Sequence, residues 1–337
     1  MSRANAGNPY YDGPVSDHFD GKVFFNPDGV APASFADLMR WQFGGGKAKW
    51  PSAWPSPHPA AHPEMRVDGR ELRVTMVGHA SFLVQTAGLN ILTDPVWTER
   101  VSPFSFAGPK RVNAPGIPFD KLPPIDFVLL SHNHYDHMDV TTLGRLKSSH
   151  NAHVLTPLGN DAIVRKSVPD IRISAHDWED RIDAGNGVTI HVEPAHHWSA
   201  RGTADRRMAL WSAFTIETPG GNVYFGGDTG FHEGRNYAAA RAKHGGFRFA
   251  LLPIGAYEPR WFMEPQHQTP DHAVEGFNLL GAQHAGGMHW GTFQLTNEAV
   301  EEPRDLLHAA LDRASISRDR FRAMQPGEVW DVPTATA

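Results

Sequence analysis

Residues Ser131 to Asp139 read SHNHYDHMD, and within six of those positions stand His132, His134, Asp136 and His137. The run follows the apolar stretch Phe127 to Leu130, so these side chains sit at the carboxyl end of a predicted buried strand, on a rigid base. In a non-helical loop, His132 and His134 point to one side while Asp136 and His137 turn to another, a spacing that can feed two adjacent metal ions. Singly, each is an ordinary residue of an exposed loop. Together they would be costly to bury without a shared partner, and neutral imidazoles and carboxylates are natural ligands of zinc and related ions. Three further motifs each end a predicted strand: PAHHWSAR with His196 and His197, YFGGDTG with Asp228, and GGMHWGTF with His289. The pairs Gly226-Gly227 and Gly286-Gly287 permit close backbone approach just before two of these residues, although paired glycines also punctuate turns.

Two divalent ions about 3.5–4 Å apart can share a water, lower its pKa toward neutrality and stabilise both the attacking and the departing oxygen of a hydrolysis. No other nucleophile competes. The chain has no cysteine and no G-x-S-x-G elbow. Carboxylates behind the ligands should orient their imidazoles; Asp94, at the end of NILTDP, and Asp139 are the candidates, with a turn or helix-cap role as the alternative for each. His79, in VGHAS, is a candidate buried, hydrogen-bonded neighbour of the site.

Positioning such ligands requires a strand-rich body. From about Glu71 the chain carries short β-branched and aromatic runs: LRVTMV, SFLVQT, NILTD, FVLLSH, HVLTP, IRISA, VTIHVEP, LWSAFTIET, NVYFGGD and FALLPIG. Helical segments are predicted at Asn160 to Lys166, Asn236 to His244, Asp271 to Leu280 and Glu298 to Arg313, with Thr269 as an N-cap and Pro270 in the first helical position. Strands in blocks with interspersed helices suggest two sheets face to face with helices outside. Residues 1–65 differ: rich in Pro, Gly and Ser, they read as an N-terminal arm, with one helix around Ser34 to Phe43 whose Phe35, Leu38, Met39 and Trp41 make an apolar face. Residues 66–337 then form the catalytic domain.

The bulk composition, 40% apolar and 20% charged over 337 residues, is that of a soluble globular chain with a large core. A net charge of −6 without a Lys/Arg run disfavours a nucleic-acid partner. Without thiols, any metal site must use His, Asp, Glu or backbone oxygen, and twenty histidines supply it. The polar start MSRANAGNPYYDG lacks a signal-peptide core, and no stretch approaches the roughly 20 apolar residues of a membrane span. A cytoplasmic location is the default expectation.

From Leu72 to Val332 the sequence resembles the metallo-β-lactamase superfamily, and within it the N-acylphosphatidylethanolamine-hydrolysing phospholipase D family. The blocks that carry the resemblance are VGHASFLVQ, ILTDPVW, GPKR, LPPIDFVLLSHNHYDHMD, HWSAR, LWSAF, YFGGDTGF, LLPIGAYEPRWFM and HWGTFQLTNE. The resemblance implies an α/β fold, an αββα sandwich of two mixed sheets flanked by helices, with two metals at one edge between the sheets. It implies one site of His132, His134 and His197, a second of Asp136, His137 and His289, and Asp228 as the bridge. His197 is preferred to His196 because it stands directly before Trp198. Zinc is the expected ion, with iron or manganese as alternatives for the same donors.

The resemblance also implies that His267, in PQHQTPDHA, lies beside the active site, where it would bind a substrate oxygen or assist the leaving group; an exposed loop histidine is the alternative. Asp136, Asp228 and His267 are accordingly the catalytic candidates. Tyr257, Trp261 and Phe262 of YEPRWFM, with Trp198 and Trp290, are candidates for an apolar groove holding acyl chains, and Arg260 for a phosphate contact, against the commoner fates of core packing and a structural ion pair. The implied activity is phosphodiester hydrolysis of phospholipase D type, with a phospholipid or other small-molecule substrate, peripheral contact with the inner membrane face, and a homodimer as a further expectation. Hydrolysis of a lactone or carboxylic ester by the same site is the alternative, as is a metal- or lipid-binding protein without turnover.

Overall fold

Two mixed sheets of seven strands carry the chain. The first contains β1 (Leu72–Gly78), β2 (Ser81–Thr86), β3 (Leu89–Thr93), β4 (Phe127–Leu129), β5 (His153–Pro157) and β6 (Ile173–His176). The second contains β7 (Arg181–Gly185), β8 (Val188–Glu193), β9 (Ala213–Glu217), β10 (Val223–Phe225), β11 (Phe247–Pro253), β12 (Ala282–Met288) and β13 (Phe321–Ala323). The closing strand β14 (Val329–Asp331) returns to the first sheet beside β1. Helices are α1 (Phe35–Phe43), α2 (Val140–Ser149), α3 (Asn160–Ser167), α4 (Arg235–His244), α5 (Arg260–Met263), α6 (Pro270–Leu280) and α7 (Glu302–Arg313). This computed structural model describes residues 7–27 and 29–334, without the Phe35 side chain; the first six residues of the polar start and the Phe35 part of the expected apolar face therefore lie outside the described residues.

Alternate residues along the strands serve different cores. Phe82 and Val84 of β2 pack between the sheets with Phe214, Phe225, Phe249 and Leu251, whereas Leu83 turns outward to meet Leu143 and Leu146 of α2 and Val164 of α3. Ala250 and Leu252 of β11 likewise face outward, against Phe277 of α6 and Leu307 of α7. Strands buried on both faces read as continuous apolar runs, which is why the sequence signals them as blocks rather than by alternation. The result is the expected αββα sandwich.

Helix α6 begins where its chemistry says it should: Thr269 caps the His272 amide, Pro270 fills the first position, and Gly281 ends the helix at φ 60°. The final helix starts at Glu302, not Glu298. Glu298 is buried in a turn and accepts the amides of Ala256 and Glu258 at 2.6 and 3.2 Å, a use of its carboxylate that a helical position would prevent.

The described residues of the arm pack on this body, among them α1 and an isolated bridge between Phe19 and Phe24. Asn8 Nδ2 donates to the Met208 carbonyl at 2.9 Å, and Trp50 Nε1 to that of Glu298 at 2.8 Å. Phe19 and Phe24 are fully buried in the same cluster as Trp211 and Tyr224. No helix among the described residues is long and apolar enough to cross a membrane.

Candidate metal centre

Strand directions gather the predicted ligands. β1 is antiparallel to β2 and β2 to β3, while β3 and β4 are parallel, so β1, β3 and β4 share a carboxyl-end edge. In the second sheet β8 is antiparallel to β9 and β9 to β10, while β10, β11 and β12 run parallel, so β8, β10 and β12 likewise end together. Those ends deliver His79, Asp94, the Ser131 to His137 loop, His197, Asp228 and His289. Gly227, at φ 55°, lets the Asp228 turn approach the ligand loop: a Cβ there would stand 2.8 Å from Ser131 Cβ. His79, Asp94 and His289 are non-glycine residues at φ 58°, 31° and 64°. Backbone in the left-handed region is costly and persists where the surroundings over-determine it, as they do in this cluster.

The side chains form two adjoining groups. In one, His132 Nε2 and His134 Nδ1 stand 2.8 Å apart and His197 Nε2 lies 3.3 Å from His134 Nδ1. In the other, Asp136 Oδ2 lies 3.3 Å from His137 Nε2 and 3.2 Å from His289 Nε2. Asp228 Oδ2 faces both, 3.9 and 3.7 Å from His132 and His197 on one side and 3.2 and 3.1 Å from His137 and His289 on the other. The three residues the resemblance implies for each site lie together, and His79 joins the second group as a fourth potential donor. His197, not His196, enters the first group; the His196 ring turns away to stack on His232 at 4.2 Å.

Three of the remaining ring nitrogens are tied down from behind, whereas His134 Nε2 and His289 Nδ1 are buried without a hydrogen bond. His137 Nδ1 meets Asp94 Oδ2 at 2.6 Å, His132 Nδ1 meets Ser131 Oγ at 2.9 Å, and His197 Nδ1 donates to the Gln266 carbonyl at 3.0 Å. Ser131 Oγ in turn donates to Asp94 Oδ2 at 2.6 Å. One carboxylate therefore orients a ligand of each group, directly or through a hydroxyl. His79 Nε2 donates to Asp136 Oδ2 at 2.9 Å, steadying the ligand carboxylate.

Electrostatics fit cations at the centre. Burial pushes His134 and His197 down to about 3 and His132 well below its usual range, so all three are neutral ligands at neutral pH. Burial opposes the charge of Asp228 and Asp136 too, yet the neighbouring His137 holds both well below the ordinary carboxylate range. Burial also opposes a charge on His289, but Asp228 and Asp136 prevail and lift it to about 9. His137 Nε2 and Asp228 Oδ1 are buried without a hydrogen bond. A proton satisfies one donor–acceptor contact, whereas an ion with bonds of about 2.0–2.2 Å takes several donors spaced roughly 3.4 Å apart. The donors found here, at 2.8 to 3.9 Å, suit that arrangement.

Around the centre the other candidates divide. His267 is buried, not an exposed loop residue: its Nδ1 lies 4.0 Å from Asp228 Oδ2, and burial pushes it down to about 3. Asp139 touches no ligand; it caps α2, accepting the Thr141 and Thr142 amides at 3.0 and 3.1 Å. Tyr257 is buried and donates to Glu302 Oε1 at 2.9 Å, and Trp290 packs edge-on against Trp54, so neither lines a groove. Arg260 has no ion-pair partner among the described residues; its Nη1 donates to the carbonyls of Tyr257 and His267, bracing the loop that holds His267.

A groove does open on the centre. A cavity of about 400 Å³ is lined by Leu38 and Trp41 of α1, Trp198, Phe262, Met263 and Arg206, and reaches His134 and His267. Phe262 stacks on Trp41 at 5.2 Å, and Trp198 stands edge-on to His134 at 4.6 Å. Trp261, beside Phe262 in the chain, is 48% exposed and is not among the residues lining the cavity. Of the five aromatic residues that the sequence suggested, Trp198 and Phe262 line this cavity; their partners in α1 were not legible, because an amphipathic face announces that it packs and not against what. Ser131, adjacent to His132 in the motif, was readable as a hydroxyl beside a ligand; the Gln266 contact is made by a carbonyl and leaves no trace in residue type.

The described geometry has counterparts among known proteins. A family model described as the beta-lactamase superfamily domain matches residues 89–290. N-acyl-phosphatidylethanolamine-hydrolyzing phospholipase D 1 of Caenorhabditis elegans is 38% identical over 276 residues, covering 77% of this chain and 76% of the relative. The mitochondrial N-acyl-phosphatidylethanolamine-hydrolyzing phospholipase D of Saccharomyces cerevisiae is 31% identical over 237 residues, 69% of this chain and 50% of the relative. The isothiocyanate hydrolase from Delia radicum gut bacteria shares the fold, with a TM-score of 0.61 at 20% identity, over 77% of this chain and 98% of that one. Sequence, fold and donor set agree: the chain is a metal-dependent hydrolase of the metallo-β-lactamase superfamily and belongs, within it, to the N-acylphosphatidylethanolamine-hydrolysing phospholipase D-like family.

Proposed function

We propose that the protein is a phosphodiesterase of phospholipase D type, releasing phosphatidic acid from N-acylphosphatidylethanolamine-like lipids. The observation that carries this reading is the apolar groove that runs directly onto the two His/Asp groups. A pocket whose walls are aromatic and aliphatic, with a few converging polar groups at one end, matches a ligand with long chains and one charged reacting group. The names of the worm and yeast relatives point the same way.

Two divalent ions, zinc by preference on this thiol-free donor set and iron or manganese by availability, would supply an activated water and neutralise phosphate charge. The protein's own groups do the rest. Asp94 and Ser131 fix the ligand imidazoles, and His79 fixes Asp136. His267, a neutral imidazole between the groove and Asp228, is placed to donate a hydrogen bond to a phosphoryl oxygen or to hold a proton near the departing one. On the two helices that supply Trp41 and Phe262 to the groove, Phe43 is 86% and Trp261 48% exposed, and Arg40 lies 4.7 Å over the Trp261 ring. Exposed aromatics beside a cation suit an interface where one end is apolar and the other wet, which supports delivery of substrate from a membrane surface.

The test is release of phosphatidic acid from N-acylphosphatidylethanolamine vesicles by metal-quantified protein, with Asp228→Asn as control. Turnover abolished by the substitution supports the reading. No turnover by fully metal-loaded protein overturns the lipid assignment and directs the search to other phosphodiesters and to lactones.

A further inference from the structure

A second group of metal-ligand type lies outside the catalytic edge, on the outer face of the second sheet. Val188, Ile190 and Val192 of β8 point into the inter-sheet core, so His191 and Glu193, two residues apart, share the opposite face. His244, the last residue of α4, closes over them: its Nε2 lies 2.6 Å from Glu193 Oε1, and its ring stands 4.6 Å from that of His191 at 68°. One donor atom from each of the three lies within 4.8 Å of the other two. The side chains of Glu193, His244 and His191 are only 4%, 5% and 10% exposed.

We propose that His191, Glu193 and His244 bind a divalent cation, zinc foremost, that pins the carboxyl end of α4 to β8. Two imidazoles and a carboxylate are a donor set for this class of ion, and a four-coordinate site is completed by Glu217, whose Oε2 already sits 3.0 Å from His191 Nε2, or by water. The groups that oppose a cation here have somewhere else to go. Lys243 Nζ is 3.4 Å from both Glu193 oxygens but 2.7 Å from the exposed Glu179, so it keeps a partner when it withdraws. The His244–Glu193 hydrogen bond exchanges one imidazole proton for one metal bond on the same two residues. The site joins a strand to a helix end, where a bound ion stabilises the folded chain by mass action without touching the reaction.

The experiment titrates the metal-depleted full chain with zinc alone and counts bound zinc after gel filtration, for wild type, His244→Ala, His191→Ala and Glu193→Gln. The expected result is one fewer zinc per chain in each variant than in wild type, with hydrolytic activity of the zinc-loaded protein unchanged. Zinc beyond the catalytic requirement should raise Tm in wild type and not in the variants. Comparing variants with wild type makes the outcome independent of how many ions the catalytic edge holds. Glu193→Gln retains the size and hydrogen-bonding capacity of the native residue and serves where an alanine variant fails to fold. Equal zinc content in wild type and a folded variant overturns the proposal, as does an equal Tm response.

Discussion

Asp94 Oδ2 stands 2.6 Å from His137 Nδ1 and 2.6 Å from Ser131 Oγ, which passes the constraint on to His132. A single fully buried carboxylate at the end of β3 therefore sets the orientation of one ligand in each metal group. Replacing it with the isosteric amide keeps the volume and removes the charge that both contacts rely on. Asp94→Asn should weaken metal binding about 10–100-fold, the usual effect of losing an orienting partner behind a ligand. Zinc affinity measured by chelator competition checks this; an unchanged affinity would show that Asp94 merely fills space.

The metal-free protein should be most stable near neutral pH and should lose stability faster on the acid side. His79, His134, His197 and His267 are each pushed by burial down to about 3, below an unfolded value of about 6.5. A folded value below the unfolded one means that protons favour the unfolded chain, so this contribution is intact above about 6.5 and is lost as pH falls. Asp136 and Asp228, held low, add the same sign below about pH 4. His289, despite its burial lifted by Asp228 and Asp136 to about 9, acts oppositely: its contribution is complete below about 6.5 and disappears as pH rises through 9. Denaturant midpoints of chelator-treated protein across pH 5 to 9 are the measurement. A flat profile contradicts the assignment of buried neutral imidazoles.

His267 adjoins Asp228 and opens to the groove; its donor atom lies within 4.8 Å of those of Asp228 and His289, but the resemblance assigns the ligand positions to other residues. His267→Ala should therefore lower kcat by about 10²–10⁴, the range for a lost proton-transfer or hydrogen-bonding group, with zinc content unchanged. Loss of zinc together with activity would reassign it as a ligand.

What the sequence discloses and what it hides follow from the same physics. SHNHYDHMD is legible because ionisable residues at that density, placed directly after an apolar run, are too costly to bury unless a shared cation compensates them. Strands buried on both faces announce themselves as apolar blocks. β12 is quieter: AQHAGGM carries two glycines and little β-branching, and it exists because parallel partners on both sides hold it. α2, with Gly144 and three consecutive β-branched residues at its start, has weak helical preference and is fixed by the Asp139 cap. Asp139 itself shows the limit of residue type, since a carboxylate behind a ligand and a carboxylate capping a helix look alike until the chain is folded.

The arm is where tertiary packing departs furthest from what the sequence suggests, and it yields two separable effects. Phe19 and Phe24 belong to the core on the outer face of the second sheet, under α6 and α7, so Phe24→Ala should cost about 3–5 kcal/mol of stability, as large buried aromatics do. Leu38 instead lines the groove and is partly exposed, so changing it should leave folding nearly intact. Leu38→Glu places a carboxylate on the apolar wall beside Trp41 and Phe262, where a long acyl chain would have to displace its water. KM for a long-chain N-acylphosphatidylethanolamine should rise about tenfold or more, since each buried methylene is worth about 0.8 kcal/mol, while a short-chain soluble analogue keeps its KM. The comparison is internal to one variant, so it separates chain recognition from damage to the metal centre. Equal loss on both substrates would mean that α1 supports the centre rather than the chain, and no loss on either would remove the groove from the path of the substrate.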